Sequence, residues 1–325
     1  MKKASYDIDR IVRGKKVYLF SNSIFSAHFA CPRKFHIQYI QHVYMRMKSP
    51  ALDMGSAFHA GVEAGYNDES VKRAVGSHYK SVIEKAPDNA TKQHTLIDRC
   101  KAYAMANGYI QKYLRRDRDR FDEILVEQDF EFKLAEGDDY ILNYKGTLDG
   151  LFHDSEGYWV VEHKTTADPS EAYRARLPFN GQVLGYAIGC KKITGEWPRG
   201  CIYNMVKKTK ISRKIAESLP AFLHRVSNEY VEFADKKNYF IRDEFFYAGR
   251  NIKTWRKQAK IHALQLYEML QHQDDMNLWM QNTNACLDYR ACPMLNICKT
   301  GHVNDMLYEF VEHPQKLGGG KRKRR

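Results

Sequence analysis

The stretch Tyr144-Lys-Gly-Thr-Leu-Asp149-Gly-Leu-Phe-His153-Asp-Ser-Glu-Gly157-Tyr158-Trp-Val-Val-Glu162-His-Lys164-Thr-Thr166 decides the fold of this chain. Both flanks are rich in β-branched and aromatic residues, and the polar, Gly-containing link between them reads as a hairpin turn. With His153 paired to Tyr158 across a four-residue loop, the antiparallel register puts Asp149 directly opposite Glu162. Side chains alternate along a strand, so Lys164 shares the face of Glu162. Two carboxylates with Cβ atoms roughly 5 Å apart repel each other unless a cation sits between them. A divalent metal suits that position. The competing reading is a solvated sheet face with a weak surface ion pair. Against it, Glu162 and Lys164 follow the apolar run Trp159-Val160-Val161, which predicts a sheet interior where unpaired charge is expensive.

Outward from the hairpin, the pattern alternates between periods. Apolar residues recur at helical intervals over Ser21–Gln41, Met54–Tyr66, Ser70–Ile83 and Ala90–Leu114, the last running into the charged stretch Arg115–Arg120. Phe121–Leu134 then alternates as a strand, Gly137-Asp138-Asp139 turns, and Tyr140–Phe152 and Tyr158–Lys164 continue a meander. A helix over about Pro169–Cys190, a strand over Gly200–Val206, and helices over Leu219–Phe233 and about Gly249–Met280 complete the reading. The order β-β-β-α-β predicts an α/β fold with a mixed sheet and helical flanks. A single domain over 17–312, with its core at about 119–210, is the simplest organisation, followed by a disordered basic tail over 313–325.

Composition supports a folded, globular protein: of 325 residues 43% are hydrophobic and 13% aromatic. No apolar run reaches the length of a membrane span, and the start Met1-Lys-Lys-Ala-Ser-Tyr-Asp7 lacks the apolar stretch of a secretory signal, which predicts an intracellular protein with no membrane partner. Fifty-two basic against thirty-nine acidic side chains give a formal charge of +13, which favours a polyanion such as nucleic acid. The tail Lys321-Arg-Lys-Arg-Arg325 supplies five of those charges and leaves +8 without it. It reads as a nuclear address, a nucleic-acid arm or a cloning remnant. The basic and aromatic residues Tyr203, Lys207 and Lys208 read as a solvated face.

In an intracellular chain seven cysteines are reduced thiols or ligands rather than disulfides. Cys286, Cys292 and Cys298 are evenly spaced in a polar segment containing Tyr289 and Pro293, as in a ligand loop. A four-ligand site needs one more thiolate. Cys100, Cys190 and Cys201 sit in apolar elements and read as small buried hydrophobes. Cys31, followed by Pro32-Arg33-Lys34, has the polar setting. Spacing alone does not separate zinc from iron–sulfur.

Together these residues resemble the PD-(D/E)XK nuclease superfamily, in particular the RecB-like exonucleases, which include the CRISPR-associated Cas-type exonuclease with an iron–sulfur cluster. Gly55-Ser-Ala-Phe-His59 resembles the helical motif that supplies a metal-binding histidine. Gly146-Thr-Leu-Asp149 resembles the first core motif, Glu162-His163-Lys164-Thr165 the E-x-K motif, and Gln182-Val-Leu-Gly-Tyr186 the Q-x-x-x-Y motif. Cys31, Cys286, Cys292 and Cys298 match the four cluster ligands, although both gaps among the last three are five residues, where the relatives commonly have a closer pair.

The resemblance implies a restriction-endonuclease-like mixed-sheet core whose helical N- and C-terminal flanks are joined by the four-Cys cluster. His59, Asp149, Glu162 and the backbone carbonyl of His163 would bind Mg²⁺ or Mn²⁺, with Glu63, one turn beyond His59, ranked below them. Asp149, Glu162 and Lys164 would be catalytic, and Gln182 and Tyr186 would contact substrate. The cofactors implied are the divalent ion and a 4Fe–4S cluster, with Zn²⁺ as the alternative. The substrate is single-stranded DNA taken from its ends, in recombination, repair or replication alongside partner proteins of those processes. A noncatalytic cluster-bearing DNA-binding protein and a zinc-stapled interaction module of a recombination complex are the competing functions.

Overall fold

The computed structural model describes residues 6–167, 169–287 and 291–311. In chain order its elements are β1 Arg10–Val12, β2 Lys15–Phe20, α1 Asn22–Ala30, α2 Pro32–Phe35, β3 Val43–Met45, α3 Pro50–Tyr66, α4 Val71–Glu84 and α5 Asn89–Arg120. Then follow β4 Glu123–Glu136, β5 Tyr140–Asp154, β6 Gly157–Thr166, α6 Glu171–Arg174, α7 Gly181–Thr194 and β7 Gly200–Lys207. The remainder is α8 Leu219–Val231, β8 Phe240–Phe246, α9 Gly249–Gln271, α10 Leu295–Thr300 and β9 Tyr308–Phe310. This is the mixed α/β architecture expected. No helix among the described residues is long and apolar enough to cross a membrane. The basic tail expected over 313–325 lies outside the described residues.

The chain forms two compact units. One comprises Met47–Gln128 and Leu148–Ala248. Its sheet is mixed: β5 and β6 are antiparallel, β6 and β7 parallel, β7 and β8 antiparallel. The hairpin has the expected His153↔Tyr158 pair and carries the ladder one pair further, to Asp154↔Gly157. The turn is therefore Ser155-Glu156, shorter than the four-residue loop expected. Gly157 has φ +126°, a conformation that glycine adopts at least cost, and Asp154 Oδ1 accepts the N–H of Glu156 at 3.0 Å. Against this sheet lie α3, α5, α7 and α8, around buried Phe58, Ala106, Tyr109, Trp159 and Val161. On α3, Gly61 and Gly65 admit α5 at close range: a Cβ at Gly61 would meet Ala106 Cβ at 2.8 Å, and one at Gly65 would meet Ile110 Cδ1 at 2.5 Å.

The other unit comprises Met1–Arg46, Asp129–Thr147 and Gly249–Arg325. Here β2 runs parallel to the first half of β5, with Lys16 opposite Tyr140, and β3 pairs antiparallel with β9. Aromatic side chains fill its interior; Phe35 stacks on Trp279 at 5.7 Å between centroids and on Tyr6 at 6.1 Å.

Several boundaries differ from expectation for identifiable reasons. The helix expected over Ser21–Gln41 breaks at Cys31, which is extended (φ −165°, ψ 111°) because a residue before proline is driven from the helical region. The helix expected over Pro169–Cys190 is interrupted. Pro178 lacks the donor to continue it, and the Asn180 side chain accepts the Gln182 N–H at 2.9 Å to start α7 afresh. Conversely, α5 continues through the charged run to Arg120, held by Arg118 to Asp68 at 2.9 Å and by the burial of Asp117. The strands β2 and β8 had no counterpart in the sequence reading. Tyr203, expected on a solvated face, is buried with its hydroxyl 2.8 Å from that of Tyr173, and Lys207 and Lys208 are half-buried.

Candidate metal centre

The candidate residues His59, Glu127, Asp149, Glu162, His163 and Lys164 all belong to one unit. Register carries Asp149 to the position opposite Glu162, one step past the Gly150↔Val161 pair. Asp149 Oδ2 accepts the backbone N–H of His163 at 2.7 Å, so the aspartate is hydrogen-bonded to the middle residue of the Glu162-His163-Lys164 triplet. From α3, His59 Nδ1 reaches Asp149 Oδ1 at 3.3 Å. Glu162 is 2% exposed, as its position after the apolar run predicts, whereas Lys164 on the same strand face is exposed.

Ligand atoms of His59, Glu127 and Asp149 all lie within 4.8 Å of one another. Among the described residues this group of three is the one with metal-binding composition and spacing. Glu127 was not among the residues singled out from sequence. It has φ +50° within β4, a left-handed conformation costing a non-glycine residue on the order of 1 kcal/mol. Strand parity assigns a side chain to one face or the other, and a left-handed residue breaks that parity, so alternation could not show where Glu127 points. Its signal in the sequence is an acid closing the apolar run Ile124-Leu125-Val126. Glu63, one turn past His59, does not join the group.

Electrostatics divide these carboxylates. Burial opposes ionisation of Asp149, but the charge and hydrogen bond of His59, with further help from His163, outweigh it and hold the carboxyl below its usual range. Glu162 goes the other way. Burial, then the nearby Asp149 charge, push it well above the ordinary carboxylate value, with Lys164 opposing. Its Oε2 is buried without a hydrogen-bond partner. Burial lowers the His59 pKa, yet Asp149 raises it by more, while burial brings His163 down to about 3. Such a pattern suits a cation site: a positive ion there would let Glu162 ionise and would engage its buried, unpartnered oxygen. A mostly oxygen donor set suits a hard divalent ion.

Gln182 and Tyr186 lie one turn apart on α7, and Gln182 Nε2 donates to the Tyr186 hydroxyl at 2.7 Å. Cys31, Cys286, Cys292 and Cys298 all line one cavity of about 220 Å³ in the other unit. There Cys31 Sγ accepts the Asn282 N–H at 3.5 Å, and the Cys298 thiol is raised by burial and then by Cys292 and Cys31. Cys100, Cys190 and Cys201 are buried.

A family model described as the PD-(D/E)XK nuclease superfamily matches residues 20–299, and the chain belongs to that superfamily. Membership brings a metal-dependent nuclease chemistry with DNA as its substrate. No curated protein matches the sequence.

Proposed function

We propose that this chain is a Mg²⁺- or Mn²⁺-dependent deoxyribonuclease of the RecB-like type, with residues 17–312 as its catalytic unit, degrading single-stranded DNA from its ends in recombination, repair or replication. The observation carrying the reading is the convergence of His59, Glu127 and Asp149 within 4.8 Å beside the buried, unpartnered Oε2 of Glu162. These four side chains and the His163 carbonyl hold the ion. Bound there, the ion supplies a water of lowered pKa and polarises the phosphate. Asp149 stays anionic at neutral pH because His59 and His163 hold it so. Lys164, exposed two residues beyond Glu162, orients the attacking oxygen and offsets charge developing on the phosphate. Gln182 and Tyr186 contact the strand. The preference for ends and single strands rests on the resemblance to RecB-like exonucleases, and the basic excess of the chain suits a polyanion.

The cysteine cavity belongs to the same reading, with Cys31, Cys286, Cys292 and Cys298 as ligands of a 4Fe–4S cluster. Zn²⁺ at the same four thiolates is the alternative.

The test compares one single-stranded sequence as a linear molecule and as a covalently closed circle, with Mg²⁺ or Mn²⁺. Loss of the linear form with the circle intact is the expected result. Equal degradation of both would eliminate the exonuclease reading, and persistence of both would eliminate catalysis.

A further inference from the structure

Behind the Glu162 face of the sheet lies a buried polar network that the chemistry above does not use. Strand register sets His163, Asn204 and Arg242 in one row across β6, β7 and β8. Arg242 Nε donates to Asn204 Oδ1 at 2.7 Å, and its Nη2 donates to the Tyr109 hydroxyl at 2.9 Å and to Asp117 Oδ2 at 3.0 Å. A second bond from Nη1 to Oδ1 makes the Arg242–Asp117 pair bidentate. The Asp117 carboxylate also accepts the Tyr66 hydroxyl. Arg242 covers the Tyr113 ring at 3.9 Å, and the Tyr109 ring meets the His163 imidazole edge-on at 5.0 Å between centroids.

This network touches both elements that carry the candidate ligands. Tyr66 lies two turns beyond His59 on α3, on the same side of that helix. Asn204 sits directly opposite His163, whose N–H holds Asp149. Asp117, 1% exposed, comes from the end of α5 and closes the network between them. Buried ion pairs are often no better for stability than apolar residues of the same shape, so a fully engaged pair here calls for another role. Conformational specificity is the best attested one.

We propose that Arg242 and Asp117, with Tyr66, Tyr109 and Asn204, act as a positioning brace that fixes α3 and β6 relative to each other and so presets His59, Asp149 and His163 for the divalent ion. The proposal rests on the nuclease reading of that site. Removing the brace loosens the ligand set, and its cost is weaker metal binding rather than a lost catalytic group.

The experiment measures Mn²⁺ binding to the full chain by electron paramagnetic resonance, without DNA, for the parent, Asp149→Ala, Tyr66→Phe and the double variant Asp117→Leu with Arg242→Met. The double variant replaces the pair by apolar side chains of similar volume, which avoids leaving one charge buried alone. Expected is a Mn²⁺ affinity about 10- to 100-fold weaker in the double variant, the range for losing a partner that orients a ligand. Its turnover should return at saturating Mn²⁺, and a thermal melt showing the metal-free variant fully folded at the assay temperature separates a loosened ligand set from simple destabilisation, which bound metal would also reverse. Tyr66→Phe keeps the ion pair and should weaken binding by a smaller factor, which carries the test if the double variant does not fold. Parent-like Mn²⁺ affinity in these variants, with binding lost in Asp149→Ala, overturns the brace and leaves the site standing. Unchanged binding in Asp149→Ala overturns the site reading itself.

Discussion

The backbone N–H of His163 donates to Asp149 Oδ2 at 2.7 Å, while His59 approaches the other oxygen of the same carboxylate at 3.3 Å. Both oxygens are thus aimed by groups on different elements, β6 and α3. Asp149→Ala removes a ligand and the acceptor that orients the others. Loss of several kcal/mol of metal-derived stabilisation corresponds to a rate at least about a hundredfold lower. The melting temperature should fall modestly, because the change leaves the His163 N–H and His59, the two groups that hold Asp149 ionised, without their acceptor. Cleavage of end-labelled DNA and a thermal melt check both parts, and parent-like turnover would remove Asp149 from the site.

Stability and metal binding should both depend on pH, in linked directions. Glu162 is raised in the folded protein above its ordinary 4.5, and His59 above 6.5. For each, the folded state holds its proton more tightly than the unfolded chain does, so that contribution is lost as pH rises through the folded value. Buried His163 acts in the opposite sense, but only below 6.5. Without metal, the melting temperature should therefore fall as pH rises above 6.5, where His163 no longer opposes the other two, and Glu162→Gln should flatten that slope. Ligands must shed protons to bind a cation, so Mn²⁺ affinity should rise over the same interval. Melts with and without Mn²⁺ across the series test this, and a slope unchanged by Glu162→Gln would contradict it.

How much of this site the sequence could show follows from how local each signal is. Two-residue alternation and turn chemistry specify the hairpin, so the His153↔Tyr158 register and the meeting of Asp149 with Glu162 were legible. Glu127 was not, because its φ of +50° breaks the alternation from which faces are read. Asp117 sits in Arg115–Arg120 and looks like part of a solvated run. Its partner Arg242 lies 125 residues away on β8, itself disguised by the charges in Phe240-Ile-Arg-Asp-Glu-Phe-Phe246. Pairing over such a separation has no signature in a local window, whereas the break at Cys31 was written in the proline that follows it.

Glu127→Gln keeps the size of the side chain and removes its charge. With Asp149 and Glu162 still present, Mn²⁺ affinity should drop by about tenfold, in the range for losing one supporting group at a metal site. Folding should be unaffected. Titration of Mn²⁺ against the variant checks it, and parent-like affinity would show that the Glu127 carboxylate does not serve the ion.

Cys31→Ser and Cys292→Ser should each abolish the iron content of the purified protein and lower its melting temperature, since a four-ligand site fails with any one thiolate. Cys100→Ser, at a buried position that does not line the cysteine cavity, should leave iron unchanged. Metal analysis of the three variants decides the assignment. Zinc in place of iron would convert the cavity to a zinc site, and iron lost with Cys100 but kept without Cys31 would refute the ligand set.

Lys164 separates chemistry from binding. Its side chain is exposed, so Lys164→Ala deletes no core packing and leaves no buried group without a partner. It also contributes positive charge near Glu162 and His59, lowering both pKa values, and its loss makes the site more negative for an incoming cation. Mn²⁺ affinity should therefore hold or tighten slightly. The rate should nevertheless fall by about two to three orders of magnitude, as when a preorganised donor to a developing negative charge is removed. Single-turnover cleavage at saturating Mn²⁺, set beside the Mn²⁺ titration, separates the two effects. Weaker metal binding that accounts for the whole loss of rate would make Lys164 a support for the ion and strip it of a role at the attacked phosphate.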